Sequence, residues 1–286
     1  MPKTKILWCV LAMAAMLSVA QADTLEKIRE SRKIVIGYRP TSPPFSFKNA
    51  AGTAEGYQVD LCARIAASLK TTLKIPDLNV EYREVTSQQR IPAVRSGEID
   101  IECASTTMTS ERFKEVDFSY ATFITGIRFA AKRDSKLLSM RDLMGKVVAA
   151  GKGTTAERLL NAAQTTYEFG RIVKVETTAF KALEAGEADA AFNDEPLLIT
   201  NIFKSRSPEA YQMGGAYLSV EPYGLMIRKN DEAFKTEVNK ALVVLFKTGE
   251  AKNLHERWFD RGAVPIPMNN LTKETFKYPS SLPAYP

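Results

Sequence analysis

The stretch "AVRSGEIDIECAS" at 93–105 is echoed by "ALEAGEADAAFND" at 182–194. Each reads as a helix closed by glycine, a turn carrying Glu-x-Asp, and then a strand that ends on polar residues. Such a unit cannot bury its own apolar face, so a chain that carries it twice is expected to build two lobes of similar construction. Gly-Glu-x-Asp is also common turn chemistry, so the echo requires similar build and not common descent.

Around the first copy, helix and strand alternate. Lys33 to Arg39 is a β-rich run broken by Pro40, and Gly56 opens an amphipathic stretch to Leu69. Val80 to Val85 reads as a strand, and Thr86-x-x-Gln89 is a capping-box pattern opening a helix to Gly97, which Pro92 is expected to bend. Alternation of this kind predicts an α/β class with largely parallel sheets. "FITGIRFAAK" at 123–132 and "SVEPYGLMIRK" at 219–229 are extended, apolar and glycine-containing, and are the candidate strands that carry the chain between lobes. Lobe one is then discontinuous, residues 23–125 and 221–286, with 126–220 forming lobe two. From Asp231 the pattern is helical, with Val238, Leu242 and Leu245 on one face, and Gly249 separates a last helix bearing Trp258 and Phe259.

At the N-terminus, Lys3 and Lys5 precede an apolar run from Ile6 to Leu17 and a small-x-small pattern, Ala20-Gln21-Ala22. This marks residues 1–22 as a cleaved secretory signal, since the run is shorter than the ~20 residues a spanning helix needs. Loss of Lys3 and Lys5 takes the formal net charge from +6 to +4. The remaining cations are scattered among acids, which argues against a nucleic-acid partner. Cys62 and Cys103 remain, in a compartment where disulfides form, either bonded or as two buried thiols.

Enzyme motifs are sparse. His255 is the single histidine, in the terminal helix beside Trp258, where a packing or surface role is expected. Two cysteines and one histidine are too few for a protein zinc cage. "GKGTT" at 151–155 lacks phosphate-loop spacing. What recurs is a strand end or turn, hydroxyl residues, then a helix N-terminus: Ser105 to Arg112, Thr86 to Arg90, and Thr154-Thr155. Helix N-termini suit anions, and Arg112 in a first turn runs against helix-dipole logic, which points to a guanidinium placed for a carboxylate. Arg39 and Arg90 sit at the ends of elements of one sheet, where a second anion would bind. Asp194 follows the apolar strand Ala188 to Phe192 and is placed to accept from an ammonium.

"GYRPTSPPFSF", "GYQVDLCARIA", "TSQQRIPAVRSGEIDIECASTTMTSERFKEVDFS", "GTTAERLL", "ALEAGEADAAFND" and "ERWF" together resemble the periplasmic solute-binding proteins of amino-acid ABC transporters, nearest the glutamate/aspartate-binding branch. The resemblance spans almost all of residues 23–286. It implies a two-lobed, hinged clam-shell of the type II periplasmic-binding-protein class, each lobe a sheet flanked by helices, joined by two crossing strands. By that resemblance Arg112, Thr107 and the Thr154 turn hold an α-carboxylate, Asp194 takes the α-ammonium and Ser105 adds a polar contact. Arg39, Ser87 and Arg90 match the residues that hold a side-chain carboxylate. The branch can carry a histidine near the ligand side chain where this sequence has Glu176 to Thr178.

Counting Arg39, Arg90 and Arg112 against Asp194 leaves the expected pocket at +2, suited to two carboxylates and one ammonium. The expected protein is a periplasmic monomer that needs no cofactor or metal and works with a membrane permease. Two other readings stand beside it. One is an enzyme on the same fold, a dehydratase acting on an aromatic amino-acid precursor with Glu176 as its acid. The other is a binder of another polar amino acid.

Overall fold

A computed structural model describes residues 23–261 and 265–283. The signal segment, residues 1–22, therefore lies outside the described residues. Two five-stranded sheets dominate, and both have the same layout. In the first the order is Asn79–Glu84, Lys33–Tyr38, Ile101–Glu102, Glu221–Arg228, Val116–Thr125. In the second it is Arg171–Val175, Val147–Gly151, Ala190–Asp194, Ile127–Lys132, Tyr211–Gly214. The first three strands of each are parallel, and the fourth runs antiparallel to both its neighbours. The sheets are thus mixed rather than largely parallel, because the strands next to the crossings must run back against the βαβ core.

The echoed units occupy the same place in both sheets. Gly97 and Gly186 close their helices at φ 74° and 73°, a left-handed conformation that glycine adopts without a Cβ penalty. Asp100 then brackets the neighbouring second strand, Lys33–Tyr38: its carboxylate accepts from the Val35 amide at 2.8 Å and its amide donates to the Val35 carbonyl at 2.9 Å. Asp189 does the same to Val147, at 2.8 and 2.7 Å. The aspartate of Gly-Glu-x-Asp is therefore the residue that registers the third strand on the second.

Lobe one packs the helix Tyr57–Thr72 and the helix Glu232–Lys247 on one face of its sheet, with Ile65, Leu69, Val238, Leu242 and Leu245 in the core. Cys62 and Cys103 are disulfide-bonded within this lobe, their Cα atoms 6.4 Å apart. His255 lies in the same core, stacked on Phe123 and Phe259, with burial pushing its imidazole down to about 4. The helix after the capping box runs Arg90–Ser96. Thr86 and Gln89 make the reciprocal bonds of the box, at 3.1 and 3.2 Å, and Pro92 falls within the first turn, where a missing N–H costs least. The helix Thr24–Ser31 and a small sheet of Thr41–Ser42, Ser46–Lys48 and Ala54–Glu55 have no counterpart in the sequence reading.

Two passages link the lobes. One runs through Gly126, between Val116–Thr125 and Ile127–Lys132, and the other through Ser219 and Val220 into Glu221–Arg228. At Gly126 a Cβ would stand 2.5 Å from the Ser219 carbonyl oxygen, so the passages approach closely only because this residue is glycine.

Candidate functional site

Strand ends and helix starts of both lobes meet at one narrow cleft, lined by Arg39, Arg90, Ser105, Thr107, Arg112, Thr154, Thr155, Asn193, Asp194 and Leu197. Seven of the eight ligand-binding residues expected from sequence are brought together here. Ser87 is the exception: it is buried at the lip of lobe one, against Gly153 of lobe two. At Gly153 a Cβ would lie 3.2 Å from the Ser87 carbonyl group, and its φ is +72°. The positive φ favours glycine here, and the close approach leaves little room for a side chain where the lobes touch.

Arg112 lies in the first turn of the helix Ser110–Glu115, whose N-cap Thr109 accepts from the Arg112 amide at 3.3 Å. Its guanidinium donates to the Thr107 carbonyl at 2.7 Å and to the Gly153 carbonyl of the opposite lobe at 3.2 Å. Arg90 reaches the same Gly153 carbonyl at 3.3 Å and donates to the Thr106 hydroxyl at 2.7 Å. Burial, and then the neighbouring Arg90 charge, push Arg39 down to about 10 and Arg112 down to about 9, so both are cationic at neutral pH. Burial, and then the Glu221 carboxylate, push Asp194 up to about 7 against the pull of Arg112 and Arg39.

Several cleft groups keep an unused polar atom. Arg39 Nε, Arg90 Nε, Ser105 Oγ and one carboxylate oxygen of Asp194 are buried without a hydrogen-bond partner. A buried polar atom without a partner costs about 1–3 kcal/mol, so this concentration at one cleft marks it as a place built to receive polar groups. The two threonines differ. The Thr107 hydroxyl donates to Glu221 at 2.5 Å and the Thr154 hydroxyl to the Gly151 carbonyl at 2.6 Å. Each hydroxyl has one proton, so neither is free to donate to a carboxylate. Thr154 instead caps the helix Thr155–Tyr167, accepting from the Glu157 amide at 3.2 Å, which sets that helix N-terminus at the cleft.

The sequence reading missed Glu102, Glu221 and Tyr223. Glu102 is fully buried behind Arg90 and accepts from Thr106 at 2.9 Å, while Glu221 also accepts from Ser219 at 2.6 Å. Tyr223 is buried beside Asp194 and bridges through its backbone to Thr107. With Glu102 and Glu221 counted, three guanidinium groups face three carboxyl groups rather than the single one that the +2 read from sequence assumed. Glu102 reads as an ordinary strand residue, and Glu221 comes from a distant segment, so only the Glu-Cys-Ala-Ser strand end gave any signal for the first. Glu176 is exposed and pairs with Lys152 at 2.5 Å, outside the cleft lining.

Residues 34–261 match the family model of bacterial extracellular solute-binding proteins, family 3. The chain belongs to this family. An L-glutamate/L-aspartate-binding protein of Pseudomonas aeruginosa is 40% identical over 252 residues, covering 87% of this chain and 82% of the relative. A glutamate/aspartate import solute-binding protein of Salmonella typhimurium is 36% identical over 255 residues, covering 88% and 83%. Among solved structures, an ancestral amino acid-binding protein described as a precursor of cyclohexadienyl dehydratase matches with a TM-score of 0.71 and 31% identity, over 83% of this chain and 99% of that one. An ancestral arginine-binding protein bound to arginine matches with a TM-score of 0.72 and 30% identity, over 79% and 98%. This family 3 solute-binding protein thus shares its fold with proteins for several ligands, so its own ligand has to be argued from its cleft.

Proposed function

We propose that the protein captures an acidic amino acid, L-glutamate or L-aspartate, in the periplasm and delivers it to the membrane permease of an ABC importer. The observation that carries this reading is the convergence of three buried guanidinium groups from lobe one on Asp194 of lobe two. In this reading Arg112 and the start of the helix Thr155–Tyr167 hold the α-carboxylate, Asp194 holds the α-ammonium, and Ser105 adds a contact. Arg39 and Arg90, with Ser87 at the lip, hold the side-chain carboxylate, and Thr107 acts through Glu221 rather than as a donor. The lobes divide near residues 125 and 220, a cleaved signal precedes residue 23, and the protein acts as a monomer. Closing about the two linking passages brings the cations and the acid onto one ligand.

The similarity to glutamate/aspartate-binding relatives supports the same ligand class. The exposed Glu176, paired with Lys152, gives no support to the dehydratase alternative, which needs an acid facing the substrate. Calorimetric titration with a panel of amino acids tests the reading. Glutamate or aspartate is expected to bind most tightly, because two buried guanidinium groups disfavour ligands bringing one carboxylate. A preference for a neutral or basic amino acid overturns it.

A further inference from the structure

Arg90 is not a free cation. Its Nη1 donates to the Thr106 hydroxyl at 2.7 Å, and that hydroxyl donates to Glu102 at 2.9 Å, so Glu102 holds Arg90 through one bridging oxygen. Glu102 is completely buried, and its other carboxylate oxygen has no partner. The charged groups facing it are Arg90, then Arg39 and Arg112, all of lobe one. Asp194, Glu221 and Tyr223 interact with the same arginines.

We propose that Glu102 is a proton-linked specificity residue: it takes up a proton when a ligand brings a side-chain carboxylate to Arg39 and Arg90, and stays ionised when the ligand side chain is neutral. The proposal rests on the acidic amino-acid reading of the cleft. Ionised Glu102 offsets one of the two guanidinium charges, and a second carboxylate arriving there puts two anions around them in a desolvated site. The unpartnered oxygen of Glu102 is where the proton settles, and the Thr106 bridge to the other oxygen is kept. Burial already holds this carboxyl above the ordinary carboxylate range, the direction that uptake requires. Asp194 titrates too, but an α-ammonium reaches it from every amino acid, so its contribution cancels between two ligands.

The test is calorimetry of L-glutamate and L-glutamine in buffers of different ionisation enthalpy, which counts protons exchanged, for the wild-type protein and for Glu102→Gln. Wild type is expected to take up more protons with glutamate than with glutamine, and its preference for glutamate to fall by up to about tenfold per pH unit where Glu102 titrates. In Glu102→Gln the two counts become equal and the preference no longer varies with pH. Where glutamine binds too weakly to titrate, the difference in the glutamate count between wild type and variant is the readout. Where the variant does not fold, the pH dependence of the wild-type preference decides. Equal proton counts for both ligands in wild type overturn the proposal and leave the binding reading intact. Binding of neither amino acid removes that reading, and this proposal with it.

Discussion

The two lobes are built by the same device and finished with opposite chemistry. In both, a helix ends on a left-handed glycine, and an aspartate three residues later clamps the second strand of the sheet, through Val35 in lobe one and Val147 in lobe two. The strands then reach the cleft at corresponding positions of the echo, where lobe one presents Ser105 and lobe two presents Asp194. Lobe one follows its serine with Arg112 and adds Arg39 and Arg90, while lobe two adds a helix N-terminus. The backbone device thus fixes where a strand end lies and leaves its side chain free to be chosen. A clam-shell whose halves carry unlike charge distributions favours a ligand with both signs that spans them.

The comparison breaks most sharply at Arg112. Arg112→Ala is expected to weaken every amino acid by about 2–5 kcal/mol, because all carry the α-carboxylate and the site is desolvated. Titration of the folded variant checks this, and unchanged affinity removes the assignment of lobe one to the head group.

Stability should divide between the lobes as well. The disulfide between Cys62 and Cys103 lies in lobe one, and residues 126–220 contain no cysteine. Replacing both cysteines by alanine is expected to cost roughly 2–4 kcal/mol, from loop-closure entropy restored to the unfolded chain. In denaturation followed by hydrogen exchange, the amides of Lys33–Tyr38 should lose protection and those of Val147–Gly151 should keep it. Equal loss in both sheets would mean that the lobes unfold as one unit.

Asp194 sharpens the contrast from the other side. Asp194→Asn should weaken amino acids by about 1.5–3 kcal/mol while sparing analogues without the ammonium. It also carries a pH signature. A carboxyl raised to about 7 in the folded protein binds a proton there that the unfolded chain has already released. Stability of the ligand-free protein therefore falls as pH rises from about 4 to 7. Thermal melts across that range should show a shallower slope in Asp194→Asn than in wild type.

The last contrast is between the clamps themselves, and its smallest effect falls on lobe two. Asp100 is buried and also pairs with Lys27 at 2.7 Å, whereas Asp189 is exposed. Asp100→Ala is expected to cost about 2–3 kcal/mol and Asp189→Ala under about 1 kcal/mol. Chemical denaturation of both variants measures the difference, and equal costs would mean that burial does not distinguish the two turns.

Much of this was legible in the sequence because it depends on local chemistry. Gly97 and Gly186, the Thr86 to Gln89 capping box, and the arginines at element ends are signals within a few residues of the structure they cause. What was not legible depends on which distant elements meet. Glu221 reaches Thr107 from 114 positions away, and Gly153 accepts from Arg90 and Arg112 across the cleft. Glu102 looks like one more strand residue until Thr106 and Arg90 are placed beside it. The charge count went wrong for that reason: the cations sit at conspicuous positions, and two of the acids balancing them do not. The antiparallel fourth strands were hidden likewise, since their direction follows from the chain's return between lobes and not from their own pattern.

The central claim is that one acidic amino acid bridges the cations of lobe one and the acid of lobe two. The most direct test is a crystal structure of the protein with L-glutamate. The α-carboxylate should lie on Arg112, the ammonium on Asp194, and the side-chain carboxylate between Arg39 and Arg90. A glutamate contacting one lobe alone, or seated with its ammonium away from Asp194, would contradict the account.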